Sequence, residues 1–217
     1  DHLCPHFCEY YASTEGGGVT LLTASDIDHH PYSVGRAVHA VQMEVVGDRH
    51  ESLPAGQVGR LRYRSPGCAT QFYRDEEASQ EAFHEGWFYP GDLAQIDAQG
   101  YLTLAGRAKD MIIRSGVNIY PEEIETVLRG HPQVRDAAVI GLPHPDTGEQ
   151  LLACLVAAGP VSAEDLCHWC EQHLAPYKVP RRFALLQALP LNSSGKVLKS
   201  ALKEQVTQLG PERWLGV

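Results

Sequence analysis

Side chains capable of binding sugars, phosphates or metal ions are concentrated in three segments of this 217-residue chain. They are YASTEGG at residues 11–17, GWFYPGDLAQIDAQGYLTLAGRAKDMIIRSGVNIYPEEIE at residues 86–125, and PLNSSGK at residues 190–196. The first offers aromatic, hydroxyl and carboxylate groups, which suit ring stacking, phosphate contact and binding of a hard cation. The second combines an acidic turn, a basic strand exit, a Gly-Asn bend and a helix start. Few chemistries need all of these together.

Lys196 is a candidate charge donor because it follows Gly195 in a loop of the third segment. The segment does not match a phosphate-binding P-loop, which requires Gly where this chain has Pro190 and Ser or Thr where it has Val197. An isolated Gly-Lys pair is usually a solvated surface lysine. The interpretation of Lys196 therefore depends on the other two segments.

Asp92 and Arg107 are candidate ligand-binding residues of the second segment. A carboxylate at a turn accepts hydrogen bonds without donating any, which suits the recognition of hydroxyl groups. A guanidinium presents several directed donors to oxygen atoms. Taken alone, a Gly-Asp pair indicates only a turn. A charged Arg-Ala-Lys stretch, taken alone, indicates only an exposed surface.

The first half of the chain predicts antiparallel β structure. Residues 34–63 contain short alternating or apolar runs separated by Gly, Pro and Asp, as in a small antiparallel sheet or barrel. Residues 69–83 predict a helix, and Trp87 and Phe88 return the chain to β structure. We therefore expect a small antiparallel β-barrel-like subdomain at residues 1–107.

The second half predicts a compact α+β domain at residues 108–217 of a size that can fold independently. Pro121, followed by two glutamates, starts a helix. The apolar runs 137–142 and 151–157 predict strands covered by helices. The remaining predictions are a helix capped by Ser162, a turn between Pro176 and Pro180, a strand at 183–186 and a helix at 199–209.

The helix that follows Ser162 carries apolar residues at helical spacing. Leu166, Trp169, Cys170, His173 and Leu174 follow the i, i+3, i+4, i+7, i+8 pattern of a buried face. We therefore expect Trp169 to lie in the core.

Composition excludes several functional classes. The net charge of −9 argues against nucleic acid as a partner, since phosphate backbones are held by clustered Lys and Arg. No apolar run approaches the roughly 20 residues that span a bilayer, so no membrane span is expected. A secretory leader is not evident, which favours a cytoplasmic protein with reduced thiols.

The cysteines form two groups that a metal ion could use. Cys4, His6 and Cys8 form one, and Cys167, Cys170 and His173 the other. The second group lies on a predicted helix and offers at most three ligands, whereas a structural zinc site is closed by four. Small, partly buried side chains are the favoured interpretation.

Together the three segments resemble the adenylate-forming superfamily of acyl-CoA synthetases, nonribosomal-peptide adenylation domains and luciferases, from near Tyr11 to about Val206. The resemblance implies the end of a large N-terminal adenylation domain at 1–107 and a small mobile AMP-binding domain at 108–217. The site residues it implies are Tyr11 at adenine, Thr14 at phosphate, Glu15 at Mg²⁺, Asp92 and Arg107 at the nucleotide, Lys109 as hinge, Gly116 at the pantetheine tunnel, and Lys196 as catalytic lysine.

Two positions differ from the superfamily pattern: Ala12 replaces the usual Gly, and Pro90 stands two residues before Asp92 in place of Thr. The phosphate loop and most of the acyl pocket precede the YASTE-like segment in this superfamily, whereas only ten residues do so here. We therefore expect a C-terminal portion of a larger enzyme, with little turnover by itself.

The reaction implied is conversion of a carboxylic acid, ATP and coenzyme A into acyl-CoA, AMP and pyrophosphate through an acyl-adenylate. The SGVNIYPEEIE stretch looks more like the acyl-CoA synthetase version than the peptide-synthetase version. Two alternatives remain open. One is loading of a carrier-protein phosphopantetheine; the other is a non-catalytic module that binds a nucleotide or a protein partner.

Overall fold

The computed structural model describes residues 7–216. It divides into two units, the first ending at Lys109 and the second beginning at Asp110. Both combine helices with largely antiparallel sheets, which confirms the predicted α+β class. Cys4 and His6 lie outside the described residues.

The first unit is dominated by short strands. Its strands are β1 Cys8–Ser13, β2 Gly17–Thr23, β3 Arg36–Ala37, β4 Gln42–Val46, β5 Gly59–Arg64, β6 Phe83–His84, β7 Trp87–Phe88, β8 Asp92–Ile96 and β9 Leu102–Arg107. Its helices are α1 Ala24–Ile27 and α2 Glu76–Ala82.

These strands form two open antiparallel sheets. One has the order β1-β2-β3; the other has the order β6-β7-β5-β8-β9, with β4 also paired to β5. A bridge between Arg36 and Tyr101 joins the two. Over residues 7–109 this gives the expected antiparallel β structure, but no sheet closes into a barrel.

Alternation along β5 separates the two faces of the larger sheet. Leu61 and Tyr63 are buried in the core, whereas Arg62 and Arg64 point to the opposite face. There their guanidinium carbons lie 4.6 and 4.4 Å from the ring centre of Trp87. Cation–π stacking thus covers the second face of the sheet.

The helix expected at residues 69–83 is shorter in the structure. Arg74 has a left-handed φ of 55°, which interrupts any helix through this position. Asp75 then acts as N-cap, accepting a hydrogen bond from the Ala78 N–H at 3.1 Å. Helix α2 therefore spans only Glu76–Ala82.

The second unit contains longer elements. Its strands are β10 Ile112–Arg114, β11 Val117–Ile119, β12 Val134–His144, β13 Gly148–Ala157, β14 Arg182–Leu185 and β15 Leu215–Gly216. Its helices are α3 Pro121–Arg129, α4 Ala163–His173 and α5 Lys199–Leu209.

The β12–β13 hairpin is the centre of this unit, and β14 adds to β13 in parallel. Alternate residues of the two long strands enter different cores. Val139 and Ala153 pack with α3 and α4, whereas Ile140 and Leu152 pack with α5. Helices on both faces explain the continuous apolar runs, as predicted from the sequence.

Helix α4 begins as predicted, with the Ser162 hydroxyl accepting from the Asp165 N–H at 3.1 Å. The predicted buried face is partly wrong, because Trp169 is only half-buried and His173 is exposed. The indole N–H of Trp169 donates to the Val127 carbonyl at 2.8 Å. This polar bond holds the ring at the edge of the core.

Cys167 and Cys170 are buried in the core between α3 and α4. Burial raises the pKa of both thiols, that of Cys170 to about 12. Within residues 7–216, no three His, Cys, Asp or Glu side chains are arranged to hold a metal ion. None of the helices in that range is both long enough and apolar enough to cross a bilayer.

Candidate functional site

Tyr11, Asp92 and Arg107 meet in the first unit. Asp92 begins β8 and Arg107 ends β9, and the antiparallel register places them directly opposite each other. Arg107 Nη1 lies 3.1 Å from Asp92 Oδ1, and the Tyr11 hydroxyl donates to Asp92 Oδ2 at 2.5 Å. One carboxylate thus faces a cation on one oxygen and a phenol on the other.

The protonation of Tyr11 follows from its environment. Burial, together with its hydrogen bond to Asp92, raises the pKa of Tyr11 far above its ordinary value. The phenol therefore stays protonated and keeps its role as donor at neutral pH. This fixes the orientation of the Asp92 carboxylate.

The turn before Asp92 also binds Arg107. The Pro90 carbonyl accepts from Arg107 Nη1 at 2.6 Å, and the Gly91 carbonyl accepts from the Ala108 N–H at 2.9 Å. Gly91 has a φ of +81°, a conformation that favours glycine. The hydrogen bonds of this turn use the carbonyls of residues 90 and 91 as acceptors. A proline, which has a carbonyl but no N–H, is therefore accommodated at position 90.

Thr14 and Glu15 form the turn between β1 and β2. Thr14 is exposed and Glu15 half-buried, and the Glu15 carbonyl accepts from the Ala69 N–H at 2.7 Å. Burial, and secondarily the Glu15 carboxylate, raises the pKa of the Cys68 thiol. The Glu15 carboxylate supplies hard, negatively charged oxygen atoms at this turn, of the kind that bind Mg²⁺.

Two further residues, missed by sequence reasoning, shape this turn. Ser13 Oγ accepts from the Gly16 N–H at 2.9 Å and from the Tyr63 hydroxyl at 2.8 Å. Burial raises the pKa of Tyr63 to about 12, so this phenol is also a neutral donor. A side chain at Gly16 would place its Cβ 2.2 Å from the Tyr63 ring, which explains the glycine. In the sequence, the only indication of this packed turn was the glycine pair of YASTEGG.

Lys109 lies in the 3₁₀ helix Ala108–Asp110, where the first unit ends, and its side chain is exposed. Gly116 lies in the second unit, in the two-residue turn joining β10 to β11. Ser115 and Gly116 have φ values of 51° and 78°, as in a hairpin turn that requires positive φ at both positions. Apart from its two chain neighbours, no described residue has an atom within 4 Å of a Cβ built at Gly116, so the turn is open to solvent or a ligand.

Lys196 is exposed at the end of a structured loop in the second unit. The loop is closed by a bridge between Leu191 and Val197 and by the Leu198 N–H donating to the Pro190 carbonyl at 2.8 Å. Gly195 has a φ of +80°. The backbone beside Lys196 is therefore fixed although its side chain reaches into solvent.

Asn192 organises this loop and was not identified from the sequence. Its Oδ1 accepts from the Ser194 N–H at 3.0 Å, the Ser194 hydroxyl at 2.8 Å and the Lys196 N–H at 2.8 Å. Its own N–H donates to the Lys196 carbonyl at 2.8 Å. Asparagine favours turns for this reason, and that preference was the available signal.

The structure thus brings three of the predicted residues together, at the Asp92 carboxylate. Thr14 and Glu15 follow Tyr11 along the chain by three and four positions, at the end of β1. Gly116 and Lys196 belong to separate loops of the second unit.

Comparison with known families identifies one matching model, the AMP-binding enzyme C-terminal domain, over residues 123–196. This range lies wholly in the second unit and ends at Lys196.

Two curated relatives are fatty-acid ligases. The chain is 40% identical over 204 residues to the long-chain-fatty-acid–CoA ligase FadD13 of Mycobacterium tuberculosis, covering 93% of this chain and 40% of that ligase. It is 33% identical over 201 residues to a long-chain-fatty-acid–CoA ligase of Escherichia coli, covering 92% of this chain and 36% of the ligase. The chain therefore spans less than half the length of these relatives.

Two solved structures are likewise similar to this chain over less than half of their own length. The Bacillus subtilis o-succinylbenzoate CoA synthetase MenE, in complex with an acyl-adenylate intermediate, matches with a TM-score of 0.86 at 32% identity over 90% of this chain and 40% of that chain. ATP-bound MatB from Rhodopseudomonas palustris matches with a TM-score of 0.85 at 33% identity over 93% and 41%, respectively.

Proposed function

We propose that this chain supplies nucleotide-binding and catalytic residues to an AMP-forming acid–thiol ligase. The premise is that the chain belongs to the adenylate-forming enzyme superfamily. In the first half-reaction a carboxylate oxygen attacks the α-phosphorus of ATP, releasing pyrophosphate and forming an acyl-adenylate. In the second, a thiol attacks the acyl carbon and releases AMP. Coenzyme A is the proposed thiol, and the cytoplasm, where these substrates occur, is the proposed compartment.

The observation that carries this proposal is the Asp92 carboxylate, held at both oxygens by Tyr11 and Arg107. An ionised carboxylate has about four lone-pair positions, of which these contacts use two. The remaining two lone-pair positions can accept hydrogen bonds from both ribose hydroxyls of ATP or AMP. Arg107 balances the carboxylate charge and offers its remaining N–H groups to nucleotide oxygens.

Lys196 is the proposed catalytic residue of adenylation. Its ammonium makes no ion pair with any residue that the structure describes, so its charge is available to a ligand. An ammonium beside the α-phosphate and the incoming carboxylate would stabilise the negative charge that accumulates in the transition state. The Asn192 loop supplies a fixed backbone for this side chain.

The turn at residues 14–16 is the proposed phosphate and metal region, with Thr14 at phosphate and Glu15 at Mg²⁺. Mg²⁺ is commonly held by one or two carboxylates together with substrate phosphates, so a single glutamate fits if the triphosphate completes the ligand set. When bound, the ion would neutralise pyrophosphate charge. Tyr11 is the proposed adenine contact, with its hydroxyl anchored on Asp92.

The second half-reaction is assigned to a different arrangement of the two proposed domains. Lys109, at the end of the first unit, is the proposed hinge. The open turn at Gly116 is the proposed contact with the pantetheine arm, because the absence of a side chain allows a ligand close to the backbone.

ATP–pyrophosphate exchange with a panel of carboxylic acids tests this function. The assay uses the protein at its natural length beside the 217-residue chain, with long-chain, aromatic and short acids. Acid-dependent exchange supports the proposal and identifies the acid class; its absence with every acid contradicts the proposal and favours a binding module.

Offering free coenzyme A and a carrier-protein phosphopantetheine to the acyl-adenylate then distinguishes the two acceptors. Faster transfer to coenzyme A is expected. Faster transfer to the carrier protein would replace that assignment.

A further inference from the structure

A largely buried ion pair joins the start of α5 to the middle of β12 and to α3. Lys199 Nζ lies 2.7 Å from Glu125 Oε1 and 3.1 Å from the Val139 carbonyl oxygen. The same Oε1 accepts the Val139 N–H at 2.8 Å. The side chains of Lys199 and Glu125 are only 17% and 12% exposed, so the pair is largely withdrawn from solvent.

The pair occupies a free sheet edge. Among the described strands, β12 hydrogen-bonds only to β13, which leaves one side of β12 without a strand partner. At Val139 the Glu125 carboxylate takes the place of a strand acceptor and the Lys199 ammonium that of a strand donor. Because α3 and α5 pack on opposite faces of the sheet, the pair joins both helix layers around this edge.

Lys199 is also close in sequence to the proposed catalytic residue. It is the first residue of α5 and follows Lys196 by three positions. Between them Val197 packs against the core and bridges Leu191, and Leu198 closes the loop on Pro190. The ammonium of Lys199 is thus the charged anchor at the base of the Lys196 loop.

We infer that Lys199 and Glu125 are positioning residues for Lys196 and that they act specifically in the adenylation half-reaction. This rests on the proposed function of Lys196. Helix α5 begins without a side-chain N-cap, so no local hydrogen bond replaces the anchor. Without it the start of α5 and the loop base can shift, and displacements near 1 Å cost about 10²-fold in rate.

The test measures each half-reaction separately in Lys199→Met, in the protein at its natural length. We expect ATP–pyrophosphate exchange to fall ~10- to 100-fold. Transfer of a supplied acyl-adenylate to coenzyme A is expected to change less than about threefold, because Lys196 is not assigned to that step. Lys199→Arg keeps the charge and should recover most of the exchange.

Lys178→Met is the matched control. Lys178 also pairs with a glutamate of α3, with its Nζ 2.6 Å from Glu123 Oε2. Within residues 7–216 its ammonium forms no hydrogen bond or ion pair with α5 or β12. Both half-reactions should remain near wild type in this variant. If Lys199→Met lowered both half-reactions equally, the pair would be merely structural; if it lowered neither, the pair would have no positioning role. Either result overturns the inference.

Amide hydrogen exchange provides a readout independent of activity. In Lys199→Met the bonded amides of Asn192, Lys196 and Leu198 should exchange at least ~10-fold faster than in Lys178→Met, while those of β13 keep their protection. Unchanged loop amides would overturn the inference even if the protein had no ligase activity. Absence of exchange activity in the wild type would instead count against the proposed function alone.

Discussion

Replacing Asp92 with asparagine should weaken nucleotide binding far more than it weakens the fold. The substitution keeps the size of the side chain but removes its charge and turns one acceptor oxygen into a donor. One of the two proposed ribose hydrogen bonds is then lost. A hydrogen bond to a charged group contributes about 1.5–3 kcal/mol, which corresponds to a roughly 10- to 150-fold weaker affinity for AMP.

The accompanying loss of stability should be small. Arg107 is 45% exposed, so its pair with Asp92 is screened by solvent and contributes no more than about 1 kcal/mol. The asparagine carbonyl can still accept from the Tyr11 hydroxyl. We therefore expect the free energy of unfolding to fall by only about 1 kcal/mol in urea denaturation.

Glu44→Gln is the control for this experiment. Glu44 belongs to the same sheet and pairs with Arg62 at 2.6 Å, so its loss also removes a carboxylate–arginine pair. Calorimetric titration with AMP should give wild-type affinity in this variant and a weakened one in Asp92→Asn. Equal affinities in wild type and Asp92→Asn, or equal weakening in both variants, would refute the assignment of Asp92 to the nucleotide.

Three further predictions concern the second unit. Asn192→Ala removes the acceptor that orders the Lys196 loop and should lower adenylation ~10-fold in the exchange assay, whereas Asn192→Asp, which keeps the acceptor, should not. Gly116→Ala should lower the free energy of unfolding by about 1 kcal/mol in urea, because a φ of 78° disfavours a residue with a Cβ; unchanged stability would contradict this reading of the turn. Burial raises the pKa of Cys154 from 9.0 to about 12, so thiol ionisation favours unfolding as pH rises through this range. Wild type should lose about 1 kcal/mol more stability per pH unit than Cys154→Ala between pH 9 and 12, and equal slopes would contradict the assignment.

Local sequence signals predicted the elements of the second unit well. Proline followed by glutamates marked the start of α3 at Pro121, and the Ser162 cap marked α4. The last helix was predicted at its observed residues 199–209. These features depend on neighbours within one helical turn, so the local amino-acid sequence is enough to predict them.

Contacts between distant residues were less accessible. The resemblance selected Tyr11, Asp92 and Arg107 separately, but only the strand register places them around one carboxylate. Nothing in the sequence joins Glu125 to Lys199, which are 74 positions apart. Their contact depends on two helices packing on opposite faces of one sheet, a property of the whole domain.

The amphipathic pattern of α4 misassigned Trp169 for a related reason. Periodicity identifies the side of a helix that faces the core but not how far a large ring penetrates it. The indole N–H of Trp169 donates a hydrogen bond to the Val127 carbonyl at the edge of the core. A polar atom on an otherwise apolar side chain thus determined its depth.

Lys196→Ala, assayed in both half-reactions at natural length, tests the central claim most directly. We expect acid-dependent ATP–pyrophosphate exchange to fall at least ~100-fold, as when a charged group that stabilises a transition state is removed, while transfer of a supplied acyl-adenylate to coenzyme A persists. An alanine variant that retained full exchange would contradict the assignment of Lys196 as the catalytic residue of adenylation.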